Sequence, residues 1–475
     1  MNICPTISVL SREQKEQVHV YAKELLATVG MRMDCPRAHE LMVKNGSRDL
    51  GQSRITIPGE LIEWALAAAP AEIEIFQRTG QPAFKLGGAE NSTRFGVGVT
   101  NLYYQDPVTD GITPFSHTDL GAAVRLGHAL DGFDLVATPG IARDAEPGAA
   151  DLRATLAMTA NTTKPLVLLI SEEKLFIPAL ALLESLHGDL SAHPAVIPYF
   201  NPITPLVLNG ETSRKIAVTV ERGLPFIYNN YGMSGATVPI TPGGTLVVLT
   251  AELLGGLVYS QLLKAGAPVI LGSLPAGFDM KTMASQYTPH TMLLNLACAE
   301  MMAHYRLPHS GTSGSCSGWG PDLMAAGTLW LNHLTSCMGK VGLAPFVGGN
   351  FDSLAFSPAM VVLASEIIRL SRQFADGFVL DRSSVDLDDV AAMGPGGNFL
   401  MSDMTCELFR HMGYESPVWP SLTLETWQAR NCPKAATLLR EFTAELLAGL
   451  AAPEDCAEIM GRGEDFIRAH TSGRG

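Results

Sequence analysis

Charge is scarce in this chain of 475 residues. Only 17% of it is Asp, Glu, Lys or Arg, against about 25% in an average soluble domain. The basic sign is the scarcer one: 33 Lys and Arg stand against 47 Asp and Glu, a formal charge of −14 with the acids dispersed. This excludes nucleic acid as partner, since phosphate binding needs clustered cations. The 8 cysteines form no CxxC pair and follow no regular spacing. The opening MNICPTISVL has no basic flank followed by a long apolar region, so no signal peptide is expected. The most apolar run, residues 245–263, contains Glu252 and Gln261 and reads as a buried helix rather than a membrane span. Free thiols in a reducing cytoplasm are the simplest setting.

What the chain does have is apolar mass. It is 47% hydrophobic, which describes a compact protein with a large core. Short apolar, β-branched runs alternate with helical stretches. The strand candidates are RFGVGV (94–99), LVATPG (135–140), PLVLLIS (165–171), AVIPYFN (195–201), PFIYNN (225–230), APVILGS (267–273), RLPHSGT (306–312) and GLAPFVG (342–348). Helical patterns fill the gaps, with starts expected at Ser116, at Glu211 after Asn209 and at Ser357 before Pro358, and SPAMVVLASEIIRLSRQFADG follows the last strand. Eight strand–helix units predict an α/β fold, a (β/α)8 TIM barrel over 91–378. An open doubly wound sheet is the alternative, disfavoured by the count and by the lack of an early GxGxxG. Residues 1–90 read as a mainly helical extension, with helices over 11–29 and 35–45, a strand near 54–57 and a short helix in PGELIEWALAAAP. Residues 379–475 read as a helical region packed on the barrel, with GPGG (394–397) as a turn.

A barrel active site lies at the C-terminal ends of the strands. Those ends collect Asn101, Tyr103, Tyr104, Asn201, Tyr228, Asn229, Asn230, Ser273, His309, Phe346, Asn350 and Phe351. The set again stands out by what it lacks. It has no dense Asp/Glu cluster for magnesium, no strand-end lysine for a Schiff base, and no GxSxG elbow. Aromatic faces and amides remain, and aromatic faces attract quaternary ammonium cations. Strand seven runs into SGTSGSCSGWG (310–320), where only Trp319 is large. Glu252, inside an apolar helix, is costly there unless paired or functional. His309, Cys316, His333 and Cys337 could together hold zinc; the last two lie four apart on one helix face.

The segments GVGVTNLYYQDP, HTDLGAAVRLGHALDGFDLVATPG and NYGMSGATVPITPGGTLVVLTAELLGGLVYSQLLKAGAPVILGS are similar to the trimethylamine methyltransferase superfamily. The resemblance covers most of the chain. It implies a TIM barrel that moves a methyl group from an amine to the cobalt of a corrinoid carried by a separate small protein. Trimethylamine members of that family carry pyrrolysine near the end of strand seven, where this sequence has SGTSGSCSGWG instead. The loop GWGPDLMAAG and the following LNHLTSCMGKVGLAPFVGGNFDS resemble the branch without pyrrolysine, whose members act on glycine betaine.

The resemblance implies methyl transfer from glycine betaine, or a related quaternary amine, to Co(I) of a corrinoid, giving dimethylglycine. A quaternary ammonium leaves as a neutral amine, so neither a proton nor covalent activation is needed. Orientation is then the protein's main contribution. No catalytic residue and no directly bound metal is expected. Substrate contacts are expected from Tyr103, Tyr104, Asn201, Tyr228, Asn230, Glu252, His309, Trp319, His333, Phe346 and Phe351. Among these, His309, Asn201 and Asn230, with main-chain N–H groups of the Gly-rich loop, are the carboxylate anchors. Gly311, Thr312, Ser313 and Gly314 are expected to face the corrinoid. Two other readings compete: a zinc-dependent corrinoid methyltransferase for a thiol or alcohol, and a barrel that binds a betaine without turning it over. A homo-oligomer joined through the C-terminal helices is also expected.

Overall fold

The computed structural model describes residues 2–88, 92–144, 148–311, 314–316 and 318–472. Eight parallel strands form its centre: β1 (Arg94–Val97), β2 (Leu135–Ala137), β3 (Leu166–Leu168), β4 (Val196–Phe200), β5 (Phe226–Ser234), β6 (Val269–Asp279), β7 (His309–Gly311) and β8 (Leu343–Val347). Each pairs with the next in parallel, and β8 pairs with β1 (Leu343↔Arg94, Ala344↔Phe95), which closes the sheet. The open-sheet alternative is thereby removed. Each strand is followed by a helix: α1 (His117–Ala129), α2 (Ala150–Asn161), α3 (Glu173–His187), α4 (Gly210–Glu221), α5 (Pro242–Leu263), α6 (Pro289–His304), α7 (Leu323–Met338) and α8 (Pro358–Asp376).

Local chemistry sets these boundaries. Ser116 closes a capping box with Asp119 at the start of α1, and Asn209 accepts from Thr212 N at the start of α4. Ser357 stands at the N-cap of α8 without a side-chain hydrogen bond; Pro358 at the first helical position takes over the start signal there. Helix α5 is the one described helix long and apolar enough to cross a membrane, yet it is largely buried. Gly255 and Gly256 let it approach closely, since a Cβ on either would strike Met31 or Tyr228.

The N-terminal region departs from the helical expectation at several places, with short strands at Asn2–Ile3, Met31–Met33 and Asp49–Gly51 beside the expected one near 54–57. Besides helices Arg12–Thr28, Pro36–Lys44 and Gly59–Ala68, it contains a hairpin, Glu72–Phe76 paired with Pro82–Gly87. Its buried face, Ile73, Ile75, Phe84 and Leu86, joins Leu135, Val167, Ile197, Ile227, Ile270 and Leu343 in one apolar cluster. Hydrogen bonds from Phe76 N to Pro194 O and from Arg78 N to Thr163 O seat the hairpin before β4 and β3. It therefore plugs the N-terminal end of the barrel and leaves the other end as the mouth.

Strands β5 and β6 pair over nine residues, from Phe226↔Val269 to Ser234↔Gly277, whereas β4 stops pairing at Phe200↔Tyr228. The six remaining residues of β5 rise about 20 Å above that point. An antiparallel return, Ala284–Gln286, extends this ribbon from β6.

Candidate active site at the barrel mouth

Strand parity decides which strand-end side chains enter the barrel. On β5, Ile227 belongs to the interior cluster, so Asn229 and Tyr231 share its face. Tyr228 and Asn230 point the other way, into the helix layer. On β4, Ile197 and Tyr199 face inward, and Asn201 follows with the same parity.

The inward groups form a hydrogen-bonded layer. Asn201 Nδ2 donates to the Tyr199 hydroxyl at 3.1 Å and to Asn229 O at 2.8 Å. Asn229 Nδ2 also donates to the Tyr199 hydroxyl, at 3.3 Å, and its Oδ1 accepts from Ser310 Oγ at 3.1 Å. With two amides on the phenol oxygen, the Tyr199 proton is left to donate elsewhere. Phe346 meets the Tyr199 ring edge-on, centroids 5.0 Å apart. Gly272 lies between these groups on β6. A Cβ there would stand 2.1 Å from Asn229 Oδ1 and 2.3 Å from Ser310 O. The glycine makes room for the polar layer.

Above the layer, Tyr231 pairs with Leu274 on the projecting ribbon. Tyr287, just beyond the antiparallel return, faces both Tyr231 and Asp352. Burial pushes the Asp352 carboxyl up to about 6, against the nearby Tyr287 hydroxyl, which lowers it. Asp352 stands in a run of three left-handed residues, Phe351 (φ 49°), Asp352 (φ 57°) and Ser353 (φ 66°). Such conformations cost free energy outside glycine and persist only where surroundings impose them.

The Gly-rich stretch supplies those surroundings. Its described part lies along residues 349–353, joined by Cys316 N to Gly349 O (3.3 Å), Asp352 N to Cys316 O (3.2 Å), Phe351 N to Gly318 O (3.2 Å) and Ser353 Oγ to Ser315 Oγ (2.5 Å). Asn350 and Gln105 add a second tie, Asn350 Nδ2 to Gln105 Oε1 (2.6 Å) and Gln105 Nε2 to Trp319 O (2.8 Å). Small side chains allow two loops to lie this close.

Of the substrate residues expected from sequence, Asn201 and Phe346 are in the inward layer. The others are placed elsewhere. Tyr228 is buried against Gly256 of α5, and Asn230 Nδ2 donates to Leu249 O of the same helix at 2.9 Å. Glu252 accepts from Thr204 Oγ1 (2.7 Å) and Leu206 N (2.6 Å), fixing the β4–α4 loop; burial pushes its carboxyl up to about 7. His309 turns outward, its Nδ1 3.1 Å from Leu307 O. His333 packs edge-on against Phe95 (5.2 Å), and burial holds its imidazole down to about 3. Tyr104 packs with Phe115 and Phe356, and Tyr103 lies under the Arg143 guanidinium at 5.3 Å. Trp319 and Phe351 are exposed at the rim.

The loop glycines also turn away from the mouth. A Cβ on Gly311 would meet Val341 and Asn295, and one on Gly314 would lie 3.2 Å from His333 Cε1. Thr312 and Ser313 lie outside the described residues. The zinc set does not assemble. Cys316 sits 3.5 Å from Asn350 Oδ1, while Cys337 lines a cavity at the opposite end with Cys4, Arg94 and Arg372. Among the described residues no three His, Cys, Asp or Glu side chains are grouped to hold a metal.

Tyr199, Tyr231, Tyr287, Ser310 and Asp352 were not singled out from sequence. The available signal was parity: once Ile227 is taken as interior, 229 and 231 follow. The positions of Tyr287 and Asp352 in loops carried no comparable signal.

A closed (β/α)8 barrel that gathers phenols, amides and a carboxylate at the C-terminal ends of its strands has the architecture of a small-molecule enzyme. The chain belongs to the trimethylamine methyltransferase family, whose sequence pattern matches residues 1–474, and is thus a methyltransferase. It is 27% identical over 451 residues to a trimethylamine methyltransferase of Desulfitobacterium hafniense, covering 92% of this chain and 90% of that one. It is 22% identical over 473 residues to a glycine betaine methyltransferase of the same species, covering 98% and 97%. The crystal structure of the monomethylamine methyltransferase of Methanosarcina barkeri overlays with a TM-score of 0.52 at 10% identity, covering 93% of this chain and 88% of that one. That likeness establishes the shared barrel fold.

Proposed function

We propose that the chain transfers a methyl group from glycine betaine to Co(I) of a corrinoid carried by a separate protein. The observation that carries this reading is the chemistry of the mouth. Its inward groups donate hydrogen bonds at depth, from Tyr199 and the amide layer, and place an acid, Asp352, nearer the rim. A zwitterion fits that polarity with its carboxylate down and its methylated nitrogen up, toward an arriving acceptor.

In the transfer, the carbon–nitrogen bond breaks with its electron pair going to nitrogen, and the methyl carbon bonds to cobalt through the cobalt pair. The nitrogen leaves as neutral dimethylglycine amine, so no protein acid is required. A tertiary amine leaves far less readily without activation. The protein's part is to orient the substrate, and the Tyr199 O–H holds the carboxylate end. The positive charge is lost in the transition state, so the cation must not be bound too tightly.

Large apolar side chains stand exposed on loops around the mouth: Ile141, Ile203, Ile240, Met283, Trp319 and Leu354. An exposed apolar rim of this kind suits a transient protein partner, and we assign it to the corrinoid protein. Residues 378–427 carry a second apolar surface, with Leu400, Met401 and Met412 each about three-quarters exposed. We assign that one to a second copy of this chain in a homo-oligomer. The eight free thiols fit a cytoplasmic setting.

The test mixes the protein with Co(I) cobalamin and methylated amines and follows the absorbance of methylcobalamin. Glycine betaine should give the product and trimethylamine should not. Conversion of another quaternary amine alone would move the substrate. No conversion, even with the native corrinoid protein, would leave a binding-only barrel.

A further inference from the structure

We propose that Asp352, held beside Tyr231 and Tyr287 over the barrel mouth, is the counter-ion that recognises the methylated ammonium group of the substrate. This rests on the reading of the site as one for a methylated amine, and it names the residue that selects the cation.

Three observations converge. First, three separate segments build the cluster: Tyr231 from the projecting end of β5, Tyr287 from the turn into α6, and Asp352 from the β8–α8 loop. Second, the backbone at Asp352 is held in a conformation that non-glycine residues avoid, in a run of three such residues. Two main-chain hydrogen bonds from the Gly/Ser loop and one hydroxyl pair impose it. Local strain maintained this way is characteristic of functional sites. Third, the carboxyl is partly desolvated without a cationic partner: among the described residues, the ionisable groups that face it are the phenols of Tyr287 and Tyr231. A carboxylate beside two phenols, with no cation facing it among the described residues, is suited to a quaternary ammonium ion, which carries charge but no N–H to donate.

The arrangement also limits its own strength. A fully buried carboxylate would grip the ground-state cation and oppose the transition state, in which that charge disappears. Asp352 is only partly buried, so its attraction is screened. It serves binding and orientation, and Tyr199 at depth holds the other end.

The experiment titrates the full chain calorimetrically at pH 8 with tetramethylammonium chloride, glycine betaine and 3,3-dimethylbutanoate, the neutral-carbon isostere of betaine. Wild type should bind betaine roughly ten to a hundred times more tightly than the isostere. Asp352→Asn should bring the two close to parity and weaken tetramethylammonium by a similar factor, while Asp352→Glu should retain most of the preference. In methyl transfer, Asp352→Asn should raise KM by a larger factor than it lowers kcat. An unchanged cation preference in a folded Asp352→Asn protein overturns the proposal, as does failure of wild type to bind tetramethylammonium or betaine. Asp352-dependent binding of tetramethylammonium without betaine turnover keeps the cation site and sinks the betaine reading. Betaine turnover unaltered in Asp352→Asn does the reverse.

Discussion

The two ends of the barrel are built from opposite materials. At the N-terminal end a hairpin inserts Ile73, Ile75, Phe84 and Leu86 among the starts of the strands, and the side chains are apolar throughout. At the mouth the same strands present Tyr199, Asn201, Asn229 and Ser310, linked by hydrogen bonds, beneath Tyr231, Tyr287 and Asp352. The first end stabilises the fold by burying area. The second spends hydrogen-bonding groups and backbone strain on geometry. Damage to one end should therefore appear as lost stability, and damage to the other as lost recognition.

The largest effect is expected at the plug. Ile75→Ala leaves a cavity in a fully buried site, and such truncations cost about 2–5 kcal/mol. Urea unfolding should register that loss, while betaine affinity of the folded fraction stays unchanged. A mutant that lost affinity without losing stability would break the division between the two ends.

At the mouth, Tyr199→Phe removes the phenolic O–H and orphans two amide donors, and the ring contact with Phe346 survives. A hydrogen bond to a charged group contributes about 1.5–3 kcal/mol. KM for betaine should rise roughly tenfold to a hundredfold, with stability lowered by a smaller amount. Gly272→Ala tests the same layer from below, because its Cβ collides with Asn229 Oδ1 and the Ser310 carbonyl. Turnover should fall while the α-helical circular dichroism is retained. Wild-type kinetics in this variant would show that the layer is not needed for binding.

How much of this contrast the sequence carried depends on the element. Seven of the eight strands are legible as short apolar runs, because a buried parallel strand favours apolar, β-branched residues on both faces, whereas β7, His309–Gly311, has no such run. The same fact hides the site. With both faces apolar, PFIYNN does not say whether Tyr228 and Asn230 or Asn229 and Tyr231 point inward. The expected set took Tyr228 and Asn230, which the structure turns toward α5. The plug hairpin is visible in EIEIF, an alternating run, but the helical patterns around it in residues 1–90 mask it. Glu252 is explained by Thr204 and Leu206, a loop clamp no local pattern could reveal. The Gly/Ser stretch is legible as unusual, but its role depends on residues 349–353, met only through folding.

The smallest effect is the dependence of affinity on pH, and its sign follows from Asp352. Burial raises its carboxyl to about 6 in the free protein. A cation binds the ionised form, so betaine affinity should be constant above pH 7 and weaken as pH falls through 6, by at most tenfold per unit. In folding the same shift acts oppositely: a raised carboxyl contributes stability that is present below the unfolded value near 4 and lost as pH rises through 6. Glu252 titrates close by, at about 7, but it faces the β4–α4 loop in the helix layer. Calorimetry across pH 5–8 on wild type, Asp352→Asn and Glu252→Gln separates the two. The acid limb should vanish in Asp352→Asn and persist in Glu252→Gln. The opposite pattern would move the titrating group from the mouth to the helix layer, and with it the contrast between the two ends.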